Sequence, residues 1–159
     1  LATKAGLRVV RLGNDVEGEA RQIAQQHAER ALAEQAKLSA GDMPVVLLSG
    51  GELTVTRRGS GVGGPNAEYA LAMAIALNEA PCIWALACDT DGVDGSAEVA
   101  GAIVGPDTLQ RARQVTIDPQ AALSANDAHG FFERVGGQII TGPTLTNVND
   151  FRAIVVIPI

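Results

Sequence analysis

The spacing of apolar and polar residues along the chain changes repeatedly between a helical pattern and the pattern of buried strands. Between residues 16 and 36, apolar side chains recur every three or four positions, which predicts a long amphipathic helix. Residues 45–48 and 82–88 are apolar runs, and short runs of this kind predict strands covered on both faces. A second helix is predicted at residues 66–78.

Shorter elements continue this alternation to the end of the chain. Further strands are predicted at residues 53–56, 100–104, 138–141 and 151–157, and further helices at 106–114, 119–125 and 128–135. Alternating strands and helices predict an α/β fold, a three-layer sandwich with a largely parallel or mixed sheet.

Composition and charge exclude several classes of protein. The 159 residues are 47% apolar, which suits one domain with a single core. The net charge of −6 and the lack of a basic run argue against a nucleic-acid partner. There is neither a long apolar run nor a secretory leader, so we expect no membrane contact and a cytoplasmic location. Leu1 is not an initiator residue, and the chain is expected to be a fragment of a longer protein.

Four polar loops adjoin the predicted strands, at the edge where open α/β sheets bind ligands. In Ser49-Gly50-Gly51-Glu52, two glycines would let a ligand approach the backbone, and a plain tight turn explains them equally well. Residues 59–64 include four glycines directly before a helix. This stretch predicts either an anion-binding nest or a flexible connection.

The third loop, Asp89-Thr90-Asp91-Gly92-Val93-Asp94-Gly95, has three carboxylates within six residues. Like charges this close repel each other unless a cation or a substrate proton compensates them. Because Mg²⁺ prefers oxygen ligands, Asp89 and Asp94 are predicted metal ligands, with an ordinary turn as the alternative. No Glu stands twelfth from Asp89, which excludes a calcium loop of the EF-hand type.

The fourth loop, residues 141–150, alternates hydroxyl and amide side chains with almost no aliphatic content. Such a loop suits the hydroxyls of a sugar acid or phosphate oxygens, and it would also suit a network of turns that holds itself together. His27 and His129 are predicted to be packing or surface residues rather than catalytic bases.

The four loops, taken in order, resemble the glycerate 2-kinase family over nearly the whole chain. The motifs are Leu48-Ser49-Gly50-Gly51-Glu52, Gly61-Val62-Gly63-Gly64-Pro65-Asn66, Thr90-Asp91-Gly92-Val93-Asp94-Gly95 and residues 141–150. The matching part of that family is its carboxy-terminal MOFRL domain, which faces an amino-terminal Rossmann-like domain across the active-site cleft. The resemblance implies that residues 1–159 form one such domain of a two-domain protein.

The resemblance also implies a reaction, the transfer of the ATP γ-phosphate to the 2-hydroxyl of D-glycerate with ATP and Mg²⁺ as cofactors. Asp91 matches the family's catalytic aspartate, which would orient or deprotonate that hydroxyl. The implied substrate- and nucleotide-binding residues are Ser49, Gly50, Gly51, Glu52, Gly61, Gly63, Gly64, Asn66, Glu68, Thr90, Asp94, Thr144, Thr146, Asn147 and Asn149.

The chain departs from the family pattern at several positions. Pro65 stands where the family usually has a catalytic arginine, Ala67 where it has glutamine, and Leu145 where it has glycine. Losing a cation that balances phosphoryl charge should weaken transfer, unless Arg57 or Arg58 replaces it. The family's catalytic lysine lies in the amino-terminal domain, so the isolated chain is predicted to have no kinase activity.

Two other functions stay open. An NAD(P)H-dependent hydroxypyruvate reductase is one, because family members have also been given that name. The glycine-rich stretch nevertheless lacks the complete fingerprint of dinucleotide-binding folds, in which Gly-x-Gly-x-x-Gly is followed about 20 residues on by an acidic residue that ends a second strand. A non-catalytic binding domain is the other, and Pro65 favours it.

Overall fold

Six strands form one mixed sheet in the computed structural model, which describes all residues from 1 to 159. The strands are β1 (Arg8–Gly13), β2 (Gly18–Glu19), β3 (Val45–Gly51), β4 (Leu53–Thr54), β5 (Ile83–Asp89), β6 (Gly101–Val104), β7 (Gln138–Ile139) and β8 (Asp150–Val156). The main sheet has the order β1-β3-β8-β5-β6-β7, and β2 and β4 form a separate parallel pair.

Five α-helices accompany the sheet. They are α1 (Ala20–Gln35), α2 (Pro65–Leu77), α3 (Thr108–Gln114), α4 (Pro119–Ser124) and α5 (Ala128–Val135). Helix α5 has the predicted bounds, whereas α1 begins later than predicted because Gly18 and Glu19 belong to β2. Pro65 is the first residue of α2, where its fixed φ suits a helix and its missing N–H costs nothing.

The direction of β8 determines which strand ends meet at one edge of the sheet. It lies antiparallel between β3 and β5, so its first residue is next to the last residues of both neighbours. Gly51, Asp150 and Asp89 therefore lie side by side in register. The predicted α/β class and the mixed sheet are confirmed. The sheet is not largely parallel, because four of its five strand pairs are antiparallel.

One face of the sheet carries the core. Alternate strand residues such as Leu47, Ile83 and Ile154 pack against residues of all five helices in a single apolar cluster. The intervening residues form the second face, where Trp84 and Phe151 keep 41% and 43% of their surface exposed. The 159 residues thus supply two layers, and a third would have to lie on this second face.

None of the helices combines the length and the apolar content that crossing a membrane requires. Cys82 and Cys88 are unpaired and half-buried. Neither belongs to the buried apolar core.

Candidate functional site

The polar loops at the ends of β3 and β5 and before β8 meet at one edge of the sheet. The Ser-Gly-Gly segment, residues 49–51, forms the end of β3 rather than the predicted loop. The alignment of Gly51, Asp150 and Asp89 brings this segment, the aspartate loop and the Thr/Asn loop together. A candidate site at the carboxyl ends of β3 and β5 is the position that the sequence predicts.

Hydrogen bonds join the aspartate loop to the Thr/Asn loop. The Thr90 hydroxyl donates to the Asn149 carbonyl over 2.8 Å, and the Val148 N–H donates to the Thr90 Oγ1 over 2.9 Å. Thr144 adds two contacts, from its N–H to the Asp91 carbonyl at 3.1 Å and from its hydroxyl to the Thr90 carbonyl. The two loops therefore form one surface rather than two independent turns.

Asp91 is half-exposed on this surface, and its carboxylate has a fixed orientation. Its Oδ1 accepts the Val93 N–H at 2.9 Å, and its Oδ2 accepts the Asn147 amide at 3.2 Å. Each oxygen keeps a lone pair free, since a carboxylate oxygen has two. Asp91 can therefore accept a proton or a hydrogen bond from a ligand.

Asp89 lies behind Asp91 and accepts the Asp91 backbone N–H at 2.9 Å. Burial raises the pKa of Asp89 above its usual range, and the negative charges of Asp91 and Asp150 raise it further, against a backbone hydrogen bond that lowers it. The crowding of carboxylates predicted from the sequence is thus present at this edge.

Arg152, which sequence reasoning missed, organises the buried side of the site. Its guanidinium is 1% exposed and donates to Asp150 at 2.9 Å, to Ser49 Oγ at 3.2 Å and to the Gly50 and Gly51 carbonyls. The buried Arg152 guanidinium thus fixes the Ser-Gly-Gly segment of β3 against the start of β8. The available signal was a charged residue at a core-facing position of an otherwise apolar strand, a combination that requires a partner.

Asp94 caps the amino end of α2. Its Oδ1 accepts the Asn66 N–H at 2.9 Å, its Oδ2 accepts the Ala67 N–H at 2.8 Å, and the His129 Nε2 lies 3.2 Å from Oδ2. The residue is 1% exposed. Both oxygens are committed within the fold, so Asp94 is unsuited to the predicted metal role.

The glycine-rich loop packs against the segment between α4 and α5. A Cβ at Gly59 or Gly61 would collide with Ala125, and at Gly61 also with Asp127. At Gly63 and Gly64 it would approach Asn126 and Asp94 within 3 Å. Because Asp94 already fills the helix end, close packing accounts for these glycines without an external anion.

Asn66 and Glu68 lie in the first turn of α2 and are both buried. The Asn66 amide donates to Asp150 at 2.7 Å, and Glu68 accepts from Arg21 and from Asn126, each at 2.9 Å. Their contacts are internal, so they support the site from below rather than line it.

The two histidines are packing residues in the structure. His27 is buried beside Tyr69, whose hydroxyl lies 2.9 Å from Nδ1. Burial, assisted by the positive charge of Arg152, lowers the pKa of His27 to about 4. His129 lies behind Asp94 and is 5% exposed.

A cavity of about 390 Å³ opens at the same edge. It is lined by Arg11, Asn14, Leu48, Ser49, Gly50, Thr90, Val148, Asp150 and Phe151. Three predicted binding residues, Ser49, Gly50 and Thr90, therefore share one recess. Asp91 comes directly after Thr90 in the chain and is not part of the lining. Glu52, Thr146 and Asn149 are exposed outside its lining. A larger recess of about 470 Å³ lies between α1, α2 and α4 and includes none of the predicted loops.

Nowhere in the chain do three or more His, Cys, Asp or Glu side chains come close enough to hold a metal ion alone. Asp89 remains the available predicted ligand, next to Asp91. A metal at this edge would need further oxygens from outside the chain.

Sequence comparison decides the family. Residues 45–150, which contain all four polar loops, match the model of the MOFRL family. The chain belongs to the MOFRL family.

The relatives of this MOFRL chain have two kinds of name. A protein of Agrobacterium vitis, whose name proposes a hydroxypyruvate reductase, is 48% identical over 157 residues, covering 98% of this chain and 36% of that protein. The glycerate 2-kinase of Pyrococcus horikoshii is 36% identical over 156 residues, covering 93% of this chain and 34% of that protein. The chain thus spans little more than a third of the length of these relatives.

A solved structure has the same fold. The crystal structure of the Thermotoga maritima glycerate kinase superposes with a TM-score of 0.93 at 33% identity, covering 98% of this chain and 38% of that one. The arrangement of strands, helices and loops described above is therefore shared with a glycerate kinase.

Proposed function

We propose that this MOFRL chain forms one wall of the phosphotransfer cleft of a glycerate 2-kinase. The reaction would transfer the γ-phosphate of ATP to the 2-hydroxyl of D-glycerate. The observation that carries the proposal is the half-exposed Asp91 carboxylate, oriented by Val93 and Asn147 where the polar loops meet. The glycerate kinases among the relatives support it.

Asp91 would act on the substrate hydroxyl. A carboxylate at hydrogen-bond distance orients the hydroxyl and takes up its proton as the oxygen attacks phosphorus. The Asn147 amide holds the Asp91 carboxylate in one position before the substrate arrives. Thr146 on the same surface offers its hydroxyl to a remaining substrate oxygen, whereas the Thr144 hydroxyl already donates to the Thr90 carbonyl.

Mg²⁺ would bind through Asp89, with nucleotide phosphates and water completing its ligands, and it would neutralise phosphate charge. Burial is the main cause of the raised pKa of Asp89, and the negative charges of Asp91 and Asp150, which a cation would offset, add to it. Mg²⁺ commonly uses only one or two protein carboxylates, so the lack of a complete protein cage is compatible with this role.

The opposite wall would come from an amino-terminal Rossmann-like domain of the same polypeptide, and this chain would be the carboxy-terminal domain. The relatives are long enough for such a domain, since this chain covers 34% to 36% of them. A lysine on that domain would complete the catalytic set implied by the family resemblance. The isolated chain is therefore expected to be inactive, and the location of the intact protein is expected to be cytoplasmic.

A hydroxypyruvate reductase is the second candidate, favoured by the names of the Agrobacterium vitis relatives. A dinucleotide pyrophosphate requires free N–H groups at a helix amino end. In this chain, Asp94 occupies the first N–H groups of α2. The amino end of α2 is therefore unsuited to a dinucleotide pyrophosphate, which a reductase would have to bind on the rest of the polypeptide.

A paired assay separates the candidates. The intact polypeptide that contains this chain is incubated with D-glycerate, ATP and Mg²⁺, and in parallel with hydroxypyruvate and NADH or NADPH. We expect ADP and phosphoglycerate to form and no reduced cofactor to be consumed. Oxidation of the reduced cofactor without ADP formation would replace the kinase by the reductase, and no turnover in either mixture would favour a binding domain.

A further inference from the structure

Arg11 has a guanidinium group without a partner at the edge of the candidate site. It is exposed on β1 and takes part in no hydrogen bond or ion pair, whereas most arginines of the chain contact a carboxylate or a carbonyl. Arg58 is the other arginine whose guanidinium lacks an acceptor. Its backbone N–H and that of Gly59 are held by Asn126, next to the α4–α5 segment.

Arg11 lines the 390 Å³ cavity together with Ser49, Gly50 and Thr90. Arg11 pairs in register with Leu48, the residue before the Ser-Gly-Gly segment of β3. A register shift follows Arg11 in β1. The loop after β1 contacts the same segment, because the Val16 N–H donates to the Gly50 carbonyl at 3.1 Å. The backbone of Arg11 is therefore fixed beside the Ser-Gly-Gly segment, and the residue belongs to the wall of the recess.

The electrostatic character of the recess favours an anion. Its one lining carboxylate, Asp150, already accepts from Arg152 at 2.9 Å and from Asn66 at 2.7 Å. The Asp150 charge is thus compensated inside the fold, and Arg11 is the uncompensated charge of the recess. The Thr90 hydroxyl, which donates to the Asn149 carbonyl, adds no charge to the recess.

We propose that Arg11 binds a small oxyanion in this recess, either the carboxylate of a hydroxy acid or a phosphoryl group. A guanidinium presents two parallel N–H groups that match the two oxygens of such an anion. Thr90 lines the recess and Asp91 follows it. A 2-hydroxy acid held by Arg11 in this recess would lie at the same edge of the sheet as the loop that carries Asp91. The assignment of this anion to the acid substrate rests on the proposed kinase function, but anion binding does not.

The test measures equilibrium binding to the intact polypeptide by calorimetry, separately for D-glycerate, inorganic phosphate and ATP. The variants are Arg11→Ala, Arg11→Lys and Arg113→Ala. Arg113 is a suitable control, because it is also exposed and pairs with Glu79 away from the recess. Circular dichroism spectra and melting temperatures show whether each variant is folded.

We expect Arg11→Ala to weaken binding of D-glycerate by about tenfold or more, the loss of one charge-assisted contact, with Arg11→Lys intermediate and Arg113→Ala unchanged. A loss confined to phosphate or ATP would assign the same recess to a phosphoryl group. Unchanged affinity of Arg11→Ala for all three anions would overturn the proposal, as would a wild-type protein that binds none of them. Because binding is measured without turnover, a protein that binds D-glycerate through Arg11 but fails to phosphorylate it would overturn the kinase function alone.

Discussion

Leu145 shows how the conformation of a single residue affects the site surface. Its φ is 60°, in the left-handed region that a branched side chain rarely adopts, and its side chain is 98% exposed. No packing therefore compensates its backbone strain. The related enzymes that the sequence resembles usually have glycine here, and the backbone angle supplies the physical reason.

Replacing Leu145 by glycine should stabilise the protein. Relief of left-handed strain contributes about 1 kcal/mol, partly offset by the greater freedom of glycine in the unfolded chain. The free energy of unfolding, measured in urea, should rise by some tenths of a kcal/mol up to about 1 kcal/mol. Val148→Gly is the control, since Val148 is exposed in the same loop and is not among the residues with positive φ. This control should be destabilising, and an equal effect of both changes would contradict the strain.

Residue types alone could predict the aspartate loop and the Thr/Asn loop as candidate sites, because their carboxylates and hydroxyls stand together in the sequence. The family resemblance was needed to choose Asp91 among the three carboxylates. They could not predict that Arg152 reaches Ser49, or that Asp94 turns inward to α2. Those contacts depend on which strands are neighbours. The sequence separation of Arg152 from Ser49 is 103 residues, and no local pattern reports it.

At the scale of elements, the start of α2 links the glycine loop, the aspartate loop and β8. Asp94 holds two N–H groups of the helix, and the Asn66 side chain continues the contact to Asp150. The helix was predicted from its sequence nearly to the residue. The direction of β8 could not be predicted, since apolar alternation is the same for parallel and antiparallel strands.

Changing Asp94 to Asn should weaken the start of α2. An amide has one acceptor oxygen, so its NH₂ group would face the N–H of either Asn66 or Ala67 in a buried position. The lost hydrogen bond and helix-end charge should cost about 1–3 kcal/mol of unfolding free energy in urea.

Asp118→Asn is the matched control for the Asp94 change. Asp118 caps α4 through a single oxygen, which accepts the Gln120 N–H at 2.8 Å, and an Asn side chain can do the same. A change of less than about 0.5 kcal/mol is expected there. Comparable losses in the two variants would show that the two-oxygen cap is not what makes Asp94 important.

At the scale of the whole molecule, buried titratable groups make the stability of the folded protein depend on pH. His27 in the helical layer has its pKa lowered to about 4 by burial, so the unfolded chain takes up its proton first as the pH falls. Glu34 has its pKa lowered to about 2, chiefly by hydrogen bonds from Lys37 and Arg8. Both shifts make the folded protein less stable in acid, but in different ranges of pH.

The His27 contribution should appear between about pH 6.5 and 4, where the unfolded state binds more protons than the folded state. Stability should fall with decreasing pH across that range, and His27→Gln should flatten the decline. Glu34 acts below about pH 4.5, so Glu34→Gln should leave the decline between pH 6.5 and 4.5 unchanged. Urea titrations at about pH 7, 5.5 and 4.5 measure the decline of stability with pH in both variants. An unaltered decline in His27→Gln would refute the role of this histidine.

The number of layers is also a property of the whole molecule, and composition could predict it only in part. Continuous apolar strands predicted helices on both faces, whereas all five helices share one core on one face. Trp84, Ile103 and Phe151 on the second face are apolar yet over 40% exposed. An apolar strand residue indicates a face that suits burial, but the sequence of one domain does not specify what covers it.

The most direct test of the account replaces Asp91 by Asn in the intact polypeptide and measures ATP-dependent phosphorylation of D-glycerate. Asp107→Asn, at an exposed carboxylate paired with Arg111, is the control. We expect Asp91→Asn to lower kcat by a factor of about 10² or more, because a general base contributes about that much, and we expect ATP affinity and the control to stay near wild type. Phosphorylation by Asp91→Asn at the wild-type rate would show that this carboxylate does not act on the substrate hydroxyl.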